Sequence, residues 1–259
     1  MRQLVEIAEA FLQIHLSKKL DPSVEFDLGT LSINDAYEVQ RQVSAAREAR
    51  GEQVVGHKVG CTSKAIRQQF GLNEPICGRL MAPHIHHGNT VLDWNDYVDL
   101  AVEPEFVFGI GRDVRSEIRD QEELLEAIEW VAPGIEIHNY RFWFGRPTSQ
   151  ELIASNGIFA GLVVGEQRTS PAGLDFDLEG VGIFRNAELE ASGIGAEIMG
   201  GPLKSLRWLA NHLIRRGDYL KAGQLVIPGS AVKLVSVESD DRIAARFTHL
   251  GSVEVEFSA

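Results

Sequence analysis

Apolar positions in the first third of the chain recur at helical spacing. In VEIAEAFLQIHL, Ile7, Phe11 and Ile14 fall on one side of a 3.6-residue repeat, which predicts an amphipathic helix. SINDAYEVQRQVSAAREARG opens on Ser32 with Asp35 three residues later, the pattern of a capping box. It carries Ala36, Val39, Val43 and Ala46 as one stripe and stops at Gly51. VVGHKVG predicts a short strand closed by glycines, TSKAIRQQFG a short helix ending at Gly71, and NEPICGRL a loop and turn.

From about residue 98 the pattern changes to short, glycine-bounded and often alternating runs. VDLAVEPEFVFGIG, GIEIHNYRF, GLVVG, GVGIFRN, QLVIPGS, VKLVSV, RIAARF and SVEVEF all read as strands. Two helices interrupt them. One is DQEELLEAIEWVAP. The other is GPLKSLRWLANHLIRRG, with Pro202 in its first turn, Gly217 past its end and Leu203, Leu206, Ala210 and Leu213 facing a core. No internal repeat or low-complexity linker breaks the chain. The expectation is an α+β fold, with a small helical α/β part over 1–85 and a β-rich catalytic part over 86–259.

The 259 residues are 44% hydrophobic and 24% charged, enough for a real core without a disulfide or metal staple. A formal net charge of −12 gives no attraction to phosphate backbones or anionic membranes, so neither nucleic acid nor membrane is an expected partner. The two cysteines, Cys61 and Cys77, form no CxxC pair and fit free thiols in a reducing, cytoplasmic setting. The N-terminus carries charges through its apolar part, unlike a signal peptide, and no apolar run approaches the ~20 residues of a membrane span.

The candidate chemistry starts at AVEPEFVFGIG. Glu103 and Glu105 sit two apart, so on a strand both point to one face. A solvent-facing strand edge would explain such a pair. Three features point inward instead. Val102, Phe106, Val107 and Phe108 surround it; Pro104 divides it and predicts a bend or an edge position; and Glu136 recurs between Ile135 and Ile137 in PGIEIHN. Three carboxylates converging in an apolar site repel one another, at roughly 1–4 kcal/mol per pair near 4 Å. A divalent cation removes that penalty, and all-oxygen ligands select a hard ion such as Mg²⁺ or Mn²⁺. His84, His86 and His87 in APHIHHGN lack helical ligand spacing and read as ordinary loop histidines.

Lys58, in VVGHKVGCTS, has two readings: an edge-strand lysine that discourages aggregation, or a cation facing an anionic substrate or donating a proton. Arg141, five residues after Glu136, is a second candidate anion contact. Ser155 and Asn156 in ELIASNGIFAG, and Gly229 and Ser230 in VIPGS, are polar positions at strand ends, where ligands are often met.

Taken in order, these segments resemble one family. GHKVGCTSKAIRQQFGLNEPICGRL is similar to the G-x-K-x-G-x-T-S segment of 2-hydroxypenta-2,4-dienoate hydratases and 4-oxalocrotonate (2-oxo-3-hexenedioate) decarboxylases. VEPEFVFGIGRDV resembles their metal-binding E-x-E strand, and PGIEIHNYRF the segment with their third glutamate and a following arginine. GGPLKSLRWLANHL, LKAGQLVIPGS and LGSVEVEF resemble their late helix, the turn and strand after it, and the closing strand. The family lies in the fumarylacetoacetate hydrolase-like superfamily. The resemblance implies curled, mixed sheets in the C-terminal part, and Mg²⁺ or Mn²⁺ on Glu103, Glu105 and Glu136. It implies Lys58 in the active site; Arg141, Ser155, Asn156 and Ser230 are the candidate substrate contacts read from the residues. It also implies a homo-oligomer, or association with a paired hydratase or decarboxylase. The implied substrates are 2-oxo or 2-hydroxydienoic acids from aromatic-ring degradation.

Two positions depart from the hydratase pattern. Ile76 stands where many members have an aspartate. Ser155, Asn156, Gly157 and Ile158 stand where many read D-N-A-S, so that Ser155 and Ile158 replace an aspartate and a serine. The expected activity is hydration of a 2-hydroxy-2,4-dienoate. Decarboxylation of 2-oxo-3-hexenedioate, C–C bond hydrolysis and an inactive partner subunit follow as alternatives.

Overall fold

A computed structural model of the chain describes residues 2–20, 26–144 and 147–259. Two helices open it, α1 (Arg2–Ser17) and α2 (Ile33–Glu48). Next come β1 (Val54–Gly60), α3 (Lys64–Gln69), β2 (Ile76–Met81), β3 (Ile85–His87) and β4 (Thr90–Asp93). The long strands β5 (Leu100–Ile110) and β6 (Ile128–Asn139) flank the short α4 (Gln121–Leu125). The second half runs α5 (Ser149–Ala154), β7 (Phe159–Val164), β8 (Gly180–Arg185), β9 (Glu188–Ile194) and α6 (Pro202–Arg215). It closes with β10 (Leu225–Ile227), β11 (Val235–Ser236), β12 (Arg242–Phe247) and β13 (Gly251–Ser258). No helix among the described residues is long and apolar enough to cross a membrane.

The fold is α+β, with a helical N-terminus against mixed sheets. The larger sheet runs β2-β1-β10-β5-β6-β7-β3, with β11 also on β5; the smaller runs β4-β13-β12-β8-β9. The larger sheet draws strands from both sides of residue 85. One of its faces packs on the smaller sheet and α6: Phe106 and Phe108 join Ile243, Val253, Phe257, Leu206 and Leu209 in one buried cluster. The Phe106 and Phe247 rings meet edge to face at 5.1 Å, tying the two sheets together. Side chains alternate along a strand, so every second residue of β5 and β6 points the other way, to the face that carries the site.

Local rules account for the elements. Ser32 accepts from the Asp35 N–H at 3.1 Å, and the Asp35 carboxylate accepts from the Ser32 N–H at 3.3 Å, closing the expected capping box. Ile7, Phe11 and Ile14 of α1 are buried with Val39 and Val43 of α2. Leu203, Leu206, Ala210 and Leu213 of α6 are buried as their stripe predicts.

Four expectations change. NEPICGRL is not all loop: its second half is β2, paired antiparallel with β1. Cys77, Gly78 and Arg79 carry little strand propensity, but the pairing with β1 and the side chain of Gln40 hold them extended. Gln40 Nε2 donates to Cys77 O at 2.9 Å and to Ile153 O at 2.8 Å, joining α2, β2 and α5. DQEELLEAIEWVAP is helical only over Gln121–Leu125, because Ile128 onward is drawn into the ladder with β5. Ile85–His87 is a short edge strand parallel to β7. Finally, Pro104 lies in a central strand. Opposite β6, β5 pairs with β11 at Ala101 and Val102 and with β10 at Phe108 and Gly109, and Pro104 sits in the gap between them.

Gly56 is the tightest point of the frame that carries Lys58. A Cβ there would lie 2.0 Å from the Leu225 carbonyl oxygen, across the β1–β10 pairing. Backbone cannot move aside as a side-chain tip can. Gly56→Ala is therefore expected to destabilise the fold by at least ~3 kcal/mol, read as the loss of unfolding free energy in a denaturant titration.

Candidate active site

Register brings the acidic groups together. Glu103 of β5 lies directly across from Glu136 of β6, and Ala101 across from His138. Glu103, Glu105, Glu136 and His138 therefore share one sheet face. Lys58 pairs with Ile227 of β10, which extends the same face to β1. The ligand atoms of Glu103, Glu136 and His138 lie within 4.8 Å of one another. His138 Nε2 is 3.3 Å from Glu103 Oε2 and 3.5 Å from Glu136 Oε2.

Glu136 divides its two oxygens. Oε2 faces His138, while Oε1 lies 2.5 Å from Lys58 Nζ, off the hydrogen-bonding direction. Both partners are buried, so this is a desolvated ion pair and not a surface one. Lys58 Nζ also donates to Gly157 O at 3.0 Å. Lys58 is thus held from two sides, and the reading of an exposed edge lysine does not apply. Glu105 is turned differently: its Oε2 accepts from the Gly229 N–H at 3.0 Å, and its Oε1 is buried without a hydrogen bond among the described residues. Gly229 has φ of +115°, and a Cβ there would lie 2.5 Å from Thr62 Cγ2, so glycine is what lets this N–H reach Glu105.

The electrostatics follow from burial. Burial pushes the Glu103 carboxyl up to about 7, with Lys58 pulling the other way, while its side chain stays 21% exposed at the mouth. Burial, then the charges of Glu136 and Glu103, hold Glu105 well above the ordinary carboxylate range. Burial lowers His138 to about 4, so its imidazole is neutral at pH 7 with a lone pair free. Among the described residues neither of its ring nitrogens makes a hydrogen bond of normal geometry. Glu103, Glu136 and the neutral imidazole of His138 form the donor set that a divalent cation completes, with Glu105 on the same face outside that trio. The residues present fit such an ion.

The other expected contacts divide. Ser230 follows Gly229 at the edge of the site, and its hydroxyl accepts from the Val232 N–H at 3.2 Å. Asn156 uses both ends of its amide on β2: Oδ1 accepts from Arg79 N at 2.7 Å and Nδ2 donates to Arg79 O at 2.8 Å. Asn156, Gly157 and Ile158 all have positive φ, and this clamped turn is what presents Gly157 O to Lys58. The Ser155 hydroxyl donates to Leu152 O inside α5. Arg141 stands apart, with its guanidinium 76% exposed and paired with Asp99 at 2.9 Å. His138 was missed by the sequence reading, although the i, i+2 argument applied to Glu103 and Glu105 applies equally to Glu136 and His138. Outside this face, His84 lies with His15 and Glu52 in a half-buried group whose carboxylate is taken by Arg47.

No family model matches the chain. Whole-chain comparison does. The chain is 31% identical over 258 residues to a 2-keto-4-pentenoate hydratase of Paraburkholderia xenovorans, covering 100% of this chain and 96% of the relative. The chain belongs to the family of 2-keto-4-pentenoate hydratases and 4-oxalocrotonate decarboxylases. That family lies within the fumarylacetoacetate hydrolase-like superfamily. A 4-oxalocrotonate decarboxylase of a Pseudomonas species is 30% identical over 255 residues, covering 98% of this chain and 97% of the relative. The solved 4-oxalocrotonate decarboxylase of Pseudomonas putida G7, complexed with magnesium and adipate, superposes with a TM-score of 0.93 at 28% identity, over 99% of this chain and 97% of that one. A fumarylpyruvate hydrolase of Pseudomonas aeruginosa, in complex with Mn²⁺ and pyruvate, shares the fold at a TM-score of 0.63 and 17% identity, over 78% of this chain and 88% of that one.

The two departures from the family's hydratase pattern have physical consequences. Ile76 lies on the Lys58 face of β2, buried, where a Cβ at Gly60 would meet it at 3.1 Å, so an apolar side chain stands on that face where an aspartate was expected. Ile158 is buried in the cluster formed with α1 and α2, away from the carboxylates.

A carboxyl with a folded-state pKa above its unfolded value stabilises the fold below the unfolded pKa. That contribution fades as pH rises through the folded value. For Glu103 the window runs from 4.5 to about 7. Chelator-treated protein is therefore expected to lose more melting temperature between about pH 5 and about pH 8 than the Glu103→Gln variant does. An equal loss in both proteins would remove Glu103 from the account.

Proposed function

We propose that the chain is a divalent-metal-dependent lyase that hydrates 2-hydroxy-2,4-dienoates of the 2-oxo-4-pentenoate type. In this reading Glu103, Glu105 and Glu136 hold Mg²⁺ or Mn²⁺, His138 stands at the same point, and Lys58 handles the proton. What supports it is the convergence of carboxylates, a neutral imidazole and a buried ammonium on one sheet face, in a chain of this family. The relative of P. xenovorans is a hydratase, and the solved decarboxylase is complexed with magnesium.

A divalent ion bound there supplies Lewis acidity toward the 2-oxo group and the adjoining carboxylate of the substrate. The chain's own residues do the rest. Lys58 Nζ, fixed between Glu136 Oε1 and Gly157 O, keeps a proton at one point on the face, ready for the carbon end of the conjugated system as the dienol becomes ketone. Its positive charge offsets part of the carboxylate charge before an anionic substrate enters. Glu103, partly exposed, marks the open side from which substrate and water arrive. Ser230, next to the Gly229 N–H that holds Glu105, offers a hydroxyl to the substrate carboxylate.

One observation favours a second reading, decarboxylation of a 2-oxo-3-hexenedioate. Ile76 puts an apolar side chain on the Lys58 face of β2, and an apolar surface gives a leaving carboxylate poor solvation and a water no hydrogen bond. Incubation with 2-hydroxypentadienoate and with 2-oxo-3-hexenedioate, with and without Mg²⁺, separates the two. A 4-hydroxy-2-oxo acid from the first supports the hydratase, carbon dioxide from the second the decarboxylase, and no Mg²⁺-dependent product from either removes both.

Two variants test the assigned roles. Glu105→Gln is expected to abolish metal-dependent turnover while the protein stays folded, since a neutral amide relieves repulsion among the buried carboxylates. Normal turnover would show that Glu105 does not serve the ion. Lys58→Ala is expected to keep divalent-ion binding by calorimetry but to lose turnover by ~10²-fold or more. Retained turnover would reduce Lys58 to a structural counter-charge.

A further inference from the structure

We propose that a cavity behind β1 and β2, on the opposite face from Lys58, binds a small polyanion bearing carboxylate or phosphate groups. The cavity encloses about 540 Å³ between α2, these two strands and the C-terminal end of α6. That size is typical of small-molecule sites and exceeds what a single phosphate needs. Alternation along the strands separates it from the acidic face. His57 and Arg79 are cross-strand partners pointing into it, while Lys58 and Gly78, the next pair, point the other way.

The lining is cationic in a chain of net charge −12. Four arginines line it: Arg41, Arg79, Arg215 and Arg216. Arg41 is neutralised by a two-pronged contact with Glu38, at 2.8 and 2.6 Å. The other three form no ion pair among the described residues, and the partners they do have are neutral. Arg79 Nη1 donates to Gln40 Oε1 at 2.8 Å. The Arg216 guanidinium lies 4.2 Å over the Tyr37 ring and donates to Asn34 Oδ1 at 3.3 Å. Arg215 is exposed at the rim. The remaining carboxylate, Asp218, accepts from the Tyr219 N–H and has Lys221 at 3.8 Å. Three arginines without an ion pair thus line one shared cavity, and two are oriented by groups that leave their charge unspent.

Such an arrangement repels itself, as the carboxylates do on the other face, and an anion relieves it. Guanidinium forks match carboxylate and phosphate oxygens in pairs, and the Arg216–Tyr37 stack holds one fork flat against a wall. Buried His57, lowered to about 4 by burial and then by Arg79, adds a neutral imidazole at the floor and no further charge. A ligand with two anionic groups bridges Arg79 inside to Arg215 and Arg216 at the rim.

The test is isothermal titration of metal-free protein with two probes, inorganic pyrophosphate and succinate. Wild-type protein is expected to bind at least one of them at one equivalent, with Kd below ~1 mM. The Arg215→Ser, Arg216→Ser double variant is expected to bind that probe at least ~10-fold more weakly, and Lys58→Ala to bind it as wild type does. Arg215 and Arg216 are exposed, so the double variant is expected to stay folded. The Arg215→Lys, Arg216→Lys variant, which keeps the charge, is expected to retain most of the binding. Pyrophosphate alone would identify a phosphate site, and succinate alone a carboxylate site. Absence of binding by both probes, or equal binding in the serine double variant, would overturn the proposal. So would loss of binding in Lys58→Ala, which would place the anion on the other face.

Discussion

The site depends on one cross-strand pair. Glu103 and Glu136 face each other across the β5–β6 ladder, so their carboxylates are forced onto the same side at close range. Burial makes that juxtaposition unfavourable, and the surrounding structure is arranged to offset it. Lys58 takes one oxygen of Glu136, the Gly229 N–H takes one oxygen of Glu105, and His138 stands uncharged between Glu103 and Glu136. Each of these compensations is partial. Lys58 is a single positive charge against three carboxyl groups, and it makes direct contact with Glu136 alone among them. The buried oxygens and nitrogens left without hydrogen bonds measure what the protein groups do not supply.

Glycine makes those compensations geometrically available. Gly56 lets β1 approach β10 closely enough to bring Lys58 to the site, and Gly229 lets a backbone N–H reach Glu105 past Thr62. Gly78 has the same kind of role: a Cβ there would lie 2.9 Å from both Lys58 Cγ and Asn156 O. Asn156 then fastens the left-handed turn to β2 through both ends of its amide, and Gly157 O receives Lys58. An amide expected to meet substrate instead holds the turn that holds the lysine. A polar residue at a strand end has backbone to satisfy as well as ligands to meet, and here the backbone has taken it.

Period-two and period-3.6 patterns located α1, α2, α6 and most strands, because each has one buried face and one exposed face. The same logic placed Glu103 and Glu105 on one face and failed only in not being extended to Glu136 and His138. It could not show β2, where Cys77, Gly78 and Arg79 are extended through long-range contacts from α2 and β1. Nor could it place Pro104. A proline missing a donor reads as an edge residue, whereas here β10 and β11 stop short and leave a gap in the middle of the sheet. Arg141 shows the reverse error. Five residues from a buried glutamate, it has already left the strand and turned out to Asp99.

In the proposed reading, the carboxylate face and the lysine would serve addition of water and loss of carbon dioxide alike, since both would drain electrons toward the same oxygen. The choice between them rests with the walls. A hydratase has to hold a water at the far end of the conjugated system, and that requires hydrogen-bonding groups. A decarboxylase has to disfavour a solvated carboxylate, and that requires their absence. Beside Lys58 this chain presents Ile76, with Ile158 withdrawn into the helical cluster. In the hydratase reading, water would reach the reacting carbon from the open side, where the Glu103 side chain is 21% exposed. If hydration is the reaction, the water comes from the mouth of the site and not from the wall beside the lysine.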